Sequence, residues 1–125
     1  MKQAALPVLL VLAGCARPVP ALQPQTVLAA PADYQGKRIV VRGYLRYGDD
    51  SRSLWQSIET YRASRSAART ACLTLFNADA FHTRLRQFAD STVTLTGTVR
   101  TMHLAPEQSA LGWCNDTGLM IERIE

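Results

Sequence analysis

Apolar and polar residues alternate with a period of two along 36–47, read GKRIVVRGYLRY. Ile39, Val41, Gly43 and Leu45 fall on one side, and Arg38, Val40, Arg42, Tyr44 and Arg46 on the other, as in a strand with one face in a core. A glycine inside so β-prone a run marks a bend or a close backbone approach, so Gly43 predicts a strand coiled into a small barrel. The signature returns at 92–99, where Val93, Leu95, Gly97 and Val99 alternate with four threonines. Two bent strands therefore bracket one domain.

The remaining elements fit between and after them. Residues 33–36 predict a turn into the first strand and 48–51 (GDDS) a turn out, which makes 53–58 the second strand of a hairpin. A short β-prone run, 70–76, surrounds Cys72. Asn77 or Asp79 is placed to cap a helix in which Phe81, Leu85 and Phe88 recur at i, i+4 and i+7. Arg84 and Arg86 suit the negative pole at its end. Residues 118–125 close the chain as a fifth strand, with Leu119 and Ile121 inward. The predicted fold is mainly β, in the order β-β-β-α-β-β.

That order, with glycine-bent first and fourth strands, resembles the OB-fold, a five-stranded Greek-key barrel with one helix between strands 3 and 4. The resemblance covers roughly Tyr34 onward and implies that the third and fifth strands run side by side and parallel. An SH3-like barrel is the alternative, and in it the helix is harder to place.

At the N-terminus, Met1 and Lys2 precede an apolar run of ten residues, Ala4 to Ala13. That is the length of a signal-peptide core and half of the ~20 residues needed to span a bilayer. The run ends in Leu12-Ala13-Gly14-Cys15, which resembles the lipobox of bacterial lipoproteins. The resemblance implies cleavage before Cys15, acyl chains on its thiol, and a signal peptide over 1–14. Several acyl chains anchor stably where one is marginal. Ala16 stands where many Gram-negative bacteria place an inner-membrane retention aspartate, so the implied address is the outer membrane, facing the periplasm. Four of the six prolines, Pro18, Pro20, Pro24 and Pro31, then mark 15–32 as a tether, with Val27 and Leu28 able to dock on the core. The barrel domain is expected over 33–125.

With Cys15 assigned to lipid, Cys72 and Cys114 remain, and an oxidising compartment predicts a disulfide between them. The OB-like order places both near the starts of strands 3 and 5, within bridging distance. Neither has a His or Cys partner at metal-ligand spacing.

Composition changes this picture little. The 125 residues, 47% hydrophobic, fit one domain with a core. The formal charge of +4 comes from 14 basic against 10 acidic residues, and 12 of the 14 are arginine. That mildly favours anionic partners, although a GC-rich genome produces the same bias. Two arginine groups are candidate surfaces. One is an exposed stripe of Arg42, Tyr44 and Arg46 with Trp55 across the hairpin; the other is Arg62, Arg65 and Arg69 in an Ala/Ser segment, spaced to share a side if it turns helical. A solvated face accounts for each equally simply. In an intracellular OB-fold the stripe would suggest base stacking, but the envelope address disfavours nucleic acid. His82 and His103 read as solvated, Asp49 and Asp50 as a polar turn, and Trp113 as packed on the disulfide. No nucleophile–base pair, paired carboxylates, metal set or cofactor motif is visible. The expectation is a non-catalytic lipoprotein held to the membrane through Cys15 and binding an envelope protein or glycan. A periplasmic enzyme or enzyme accessory is the alternative.

Overall fold

The computed structural model describes residues 20–103 and 112–125, and the backbone alone at 64–66. The leader and the lipobox cysteine lie outside the described residues. Strands β1 (Arg38–Gly48), β2 (Ser51–Trp55), β3 (Cys72–Leu75), β4 (Thr92–Thr101) and β5 (Thr117–Ile124) close into a barrel in the order β1-β2-β3-β5-β4. β1 is shared along its length: Arg38 to Tyr44 pair with β4, and Tyr44 to Gly48 with β2. β3 and β5 run parallel, and every other pairing is antiparallel. With a helical segment between β3 and β4 this is the OB-like topology.

Gly43 and Gly97 both work by absence of a side chain. A Cβ on Gly43 would lie 2.5 Å from the carbonyl oxygen of Trp55, and one on Gly97 only 2.4 Å from that of Met120. Gly97 also sits at a register shift between β4 and β5, where the sheet coils. Inside, Val41, Leu45, Leu54, Leu73, Leu95 and Leu119 are fully buried. Each such side chain stabilises the fold by about 2 kcal/mol.

A 3-10 turn (Ala78–Phe81) leads into a helix, His82–Phe88, which plugs one end of the barrel with fully buried Leu85, while Phe81 and Phe88 pack at its sides. Neither expected cap residue caps it. The Asn77 side chain instead donates to the Ile121 carbonyl at 2.9 Å and accepts from the Ile121 amide at 2.7 Å. It thereby continues the ladder on β5 where β3 stops.

The chain before β1 is part of the domain. Leu22 forms a parallel bridge to Val41, its amide donating to the Val40 carbonyl at 2.8 Å and its carbonyl accepting from the Arg42 amide at 2.9 Å. This satisfies the β1 edge that β2, pairing only from Tyr44 onward, leaves open. Helices α1 (Pro24–Ala29) and α2 (Pro31–Tyr34) follow, each opened by a proline. Pro24 is buried and Val27 has no exposure. Among the described residues the chain thus packs on the barrel from Leu22, ahead of the boundary expected at residue 33.

The other departure is 57–71. The second strand ends at Trp55, not Ile58, because Ser57 and Thr60 form a capping box, each side chain accepting the other's amide, at 3.2 and 3.0 Å. Helices α3 (Ile58–Arg62) and α4 (Ser64–Ala71) replace the expected loop, and α1 packs on α4. In the same numbering His82–Phe88 is α5. The Cys72–Cys114 disulfide is formed, with its Cα atoms 6.3 Å apart, and joins the end of α4 and start of β3 to the approach to β5. A span of 42 residues contributes ~4 kcal/mol through the unfolded state on the chain-entropy model.

Candidate functional site

The arginine and aromatic stripe is not an open surface. Tyr44 is only 9% exposed and Trp55 only 4%, because α3 lays Tyr61 over both, with ring centroids 6.1 and 5.5 Å apart. The indole nitrogen of Trp55 donates to the hydroxyl of Ser53 at 3.0 Å, so even its polar atom is satisfied within the fold. Arg46 lies half-buried over the Tyr61 ring, 4.5 Å from its centroid, and pairs with Asp90. Burial opposes the Arg46 charge, but the Asp90 hydrogen bond and the charges around it win and hold its pKa above the ordinary value. Its Nε is buried without a partner. Of the stripe only Arg42 is exposed, its guanidinium donating to the Thr94 hydroxyl at 3.2 Å. The stripe is a secondary core, and the strand pattern could not reveal this because the lid is supplied by a segment read as loop.

Of the second arginine group, Arg62 lies on α3 and Arg65 and Arg69 on α4. Arg62 and Arg69 are exposed; the Arg65 side chain lies outside the described residues. Arg69 borders a cavity of about 550 Å³ with Leu28, Pro31, Trp113 and Asn115. The ring of Trp113 meets Phe76 edge-on, with centroids 4.8 Å apart.

A polar groove of about 470 Å³ opens at the far end of β1, between the β1–β2 turn and α5. Sequence reasoning had not assembled it, since its residues come from separate stretches: Tyr47, Gly48 and Asp49; Arg52; Asp79; and His82 and Arg86. Arg52 Nε donates to Asp79 Oδ1 at 3.0 Å. That bond lowers the Asp79 pKa from its ordinary value. The Tyr47 hydroxyl lies 2.8 Å from His82 Nδ1 and 3.4 Å from Asp79 Oδ1. Burial, with Asp79 beside it, raises the Tyr47 pKa, so the phenol stays protonated at neutral pH and has one proton to share between Asp79 and His82. The rings of Tyr47 and His82 meet edge-on with centroids 5.6 Å apart. The groove therefore offers an aromatic wall, donors from His82, Arg52 and Arg86, and acceptors from Asp79 and Asp49.

His82, expected as solvated without a partner, is thus exposed but hydrogen-bonded, and His103 likewise meets Asp116 at 3.0 Å. Asp49 lies in the turn as expected but faces the groove. Among the described residues no group of three or more His, Cys, Asp or Glu could hold a metal ion. No described helix is long and apolar enough to cross a membrane.

No family model matches the chain, and no curated protein matches it. Among solved structures it is similar to an OBody bound to hen egg-white lysozyme, at 17% identity and a TM-score of 0.49, over 87% of this chain and 94% of that one. The OB-like assignment stands on the strand order and register of the barrel itself.

Proposed function

We propose that the chain is a lipid-anchored envelope lipoprotein, acylated at Cys15, whose barrel is a non-catalytic module that binds an envelope protein or glycan through the groove of Tyr47, Arg52, Asp79, His82 and Arg86. The observation that carries the reading is the Cys72–Cys114 disulfide. It suits an oxidising compartment and leaves Cys15 as the one cysteine for lipid, at the end of a signal-like leader. The groove supports the binding part: it is concave, partly aromatic and rich in fixed donors and acceptors. The outer membrane, facing the periplasm, is the address that Ala16 favours.

The enzyme alternative draws on the Tyr47–His82 hydrogen bond, yet a phenol with a raised pKa makes a poor general base at neutral pH. A nucleic-acid binder stacking bases on Tyr44 and Trp55 loses its platform, since both rings are buried.

The Cys15→Ser chain tests the anchor. It is expected to leave the detergent phase and to keep its leader uncut by the lipoprotein peptidase; unchanged detergent partitioning refutes acylation at Cys15.

A further inference from the structure

We propose, resting on the reading that the groove is the binding site, that its ligand is an uncharged glycan segment, selected over acidic sugars and over a protein by the cancelling charges of Arg52, Arg86, Asp49 and Asp79. That cancellation is the first observation. Two guanidinium groups and two carboxylates line the groove, so its formal charge is zero with His82 neutral. The charges act on one space: besides burial, Asp79 raises the Tyr47 pKa while Arg52 and, more weakly, Arg86 lower it. Asp50, exposed beside Asp49 in the turn, adds negative charge rather than positive. A carboxylate or phosphate entering such a space gains no net attraction, and neither does a cation.

The second observation is that donors and acceptors are interleaved and held. Arg52 Nε is fixed on Asp79 Oδ1 at 3.0 Å. The same oxygen stands 3.4 Å from the Tyr47 hydroxyl, which meets His82 Nδ1 at 2.8 Å. Side chains from β1, β2, the 3-10 turn and α5 thus position one another before a ligand arrives, which leaves less rotamer freedom to lose on binding. A sugar hydroxyl both donates and accepts, so it is best met by a carboxylate and a guanidinium standing side by side. Asp79 with Arg52 is such a pair, and bonds to ionised groups are stronger than those between neutral ones even when the ligand carries no charge.

The apolar content of the lining supplies the third. Among the described residues, Ala89 is the one aliphatic side chain there, beside the rings of Tyr47 and His82. Protein interfaces concentrate their binding energy in desolvated aromatic or apolar anchors and deplete charge at their centre. Walls that carry four ionised groups offer no such seat, whereas a sugar ring bordered by hydroxyls needs none.

The test uses the purified full chain and glycans released from the envelope of the cells that make it, separated by anion exchange into an uncharged and an acidic pool. Amide hydrogen exchange at neutral pH and low salt locates the binding. The uncharged pool is expected to slow exchange severalfold at 47–52 and 79–88, and the acidic pool at equal sugar concentration is not. Asp49→Asn leaves the groove one net positive charge and should raise binding of the acidic pool severalfold relative to the uncharged one. A wild-type groove that prefers the acidic pool, or an Asp49→Asn variant with unchanged preference, overturns the selectivity and leaves the groove standing as a binding site. If neither pool binds but photo-crosslinking from position 86 captures a protein, the glycan is overturned and the groove again stands. Protection elsewhere on the barrel, or no binding and no capture, overturns both.

Discussion

Beside Val41 and Gly43 of β1 the barrel is covered by apolar chain, with Leu22 on the strand edge, Pro24 against Gly43 and Val27 buried in the core. At the Gly48 end it is finished by polar pairs, Arg46 with Asp90 and Arg52 with Asp79, around Tyr47 and His82. The first end removes apolar surface from water, which stabilises folding strongly and offers little chemistry. The second keeps its polar atoms within reach of solvent, where ion pairs contribute little to folding but remain available to a ligand. On the proposed reading this is a division of work, with stability at the first and recognition at the second.

Mutation can break that division if it is wrong. The largest effect expected lies on the apolar side, where the disulfide ties α4 and β3 to the approach to β5. Replacing Cys72 and Cys114 with Ala, or reducing the bond, should lower unfolding free energy by ~4 kcal/mol on the chain-entropy model, read from urea midpoints. Next is Val27→Ala, which empties a fully buried site in α1 and should cost about 2 kcal/mol. A Val27→Ala midpoint equal to wild type would mean that α1 does not seal the barrel. At the groove end Tyr47→Phe should cost no more than about 1 kcal/mol, the net worth of an ordinary hydrogen bond. It should also remove from the alkaline ultraviolet titration the phenolate that appears above the ordinary pH 10. If Tyr47→Phe destabilised more than Val27→Ala, the two ends would have to exchange roles.

The smallest effect is at acid pH. Asp79 has a folded pKa depressed below its ordinary 3.8 by the Arg52 hydrogen bond. Its contribution is therefore complete above pH 3.8 and is lost as pH falls through the lower, folded value. Because the carboxylate is largely exposed, Asp79→Asn should lower stability only slightly above pH 3.8, and the variant and the wild type should converge as pH falls through the folded value. A large change near neutrality would contradict the assignment.

How legible these two ends were in the sequence follows from the range of each signal. Alternation in β1 and β4, with glycine where backbones touch, is local, so the bent strands could be read directly, and the strand order followed from the OB-fold resemblance. The disulfide followed from counting cysteines against the expected parallel neighbours. The pattern failed where burial is imposed from outside. Tyr44 and Trp55 lie on the outward face and are buried because Tyr61 covers them. Ser57 with Thr60 was the available sign of that helix, masked by an Ala/Ser-rich stretch that reads as loop. The groove was invisible for another reason: Tyr47, Arg52, Asp79 and His82 are each unremarkable in their own stretch, and closure of the barrel brings them together.

The most direct test of this two-ended account is photo-crosslinking in intact cells, with a photoreactive residue placed in turn at Arg86 in the groove and at Arg69 on the tether side. The account predicts protein or glycan adducts from position 86 and few or none from position 69. Protein or glycan adducts from position 69 with none from position 86 would contradict it.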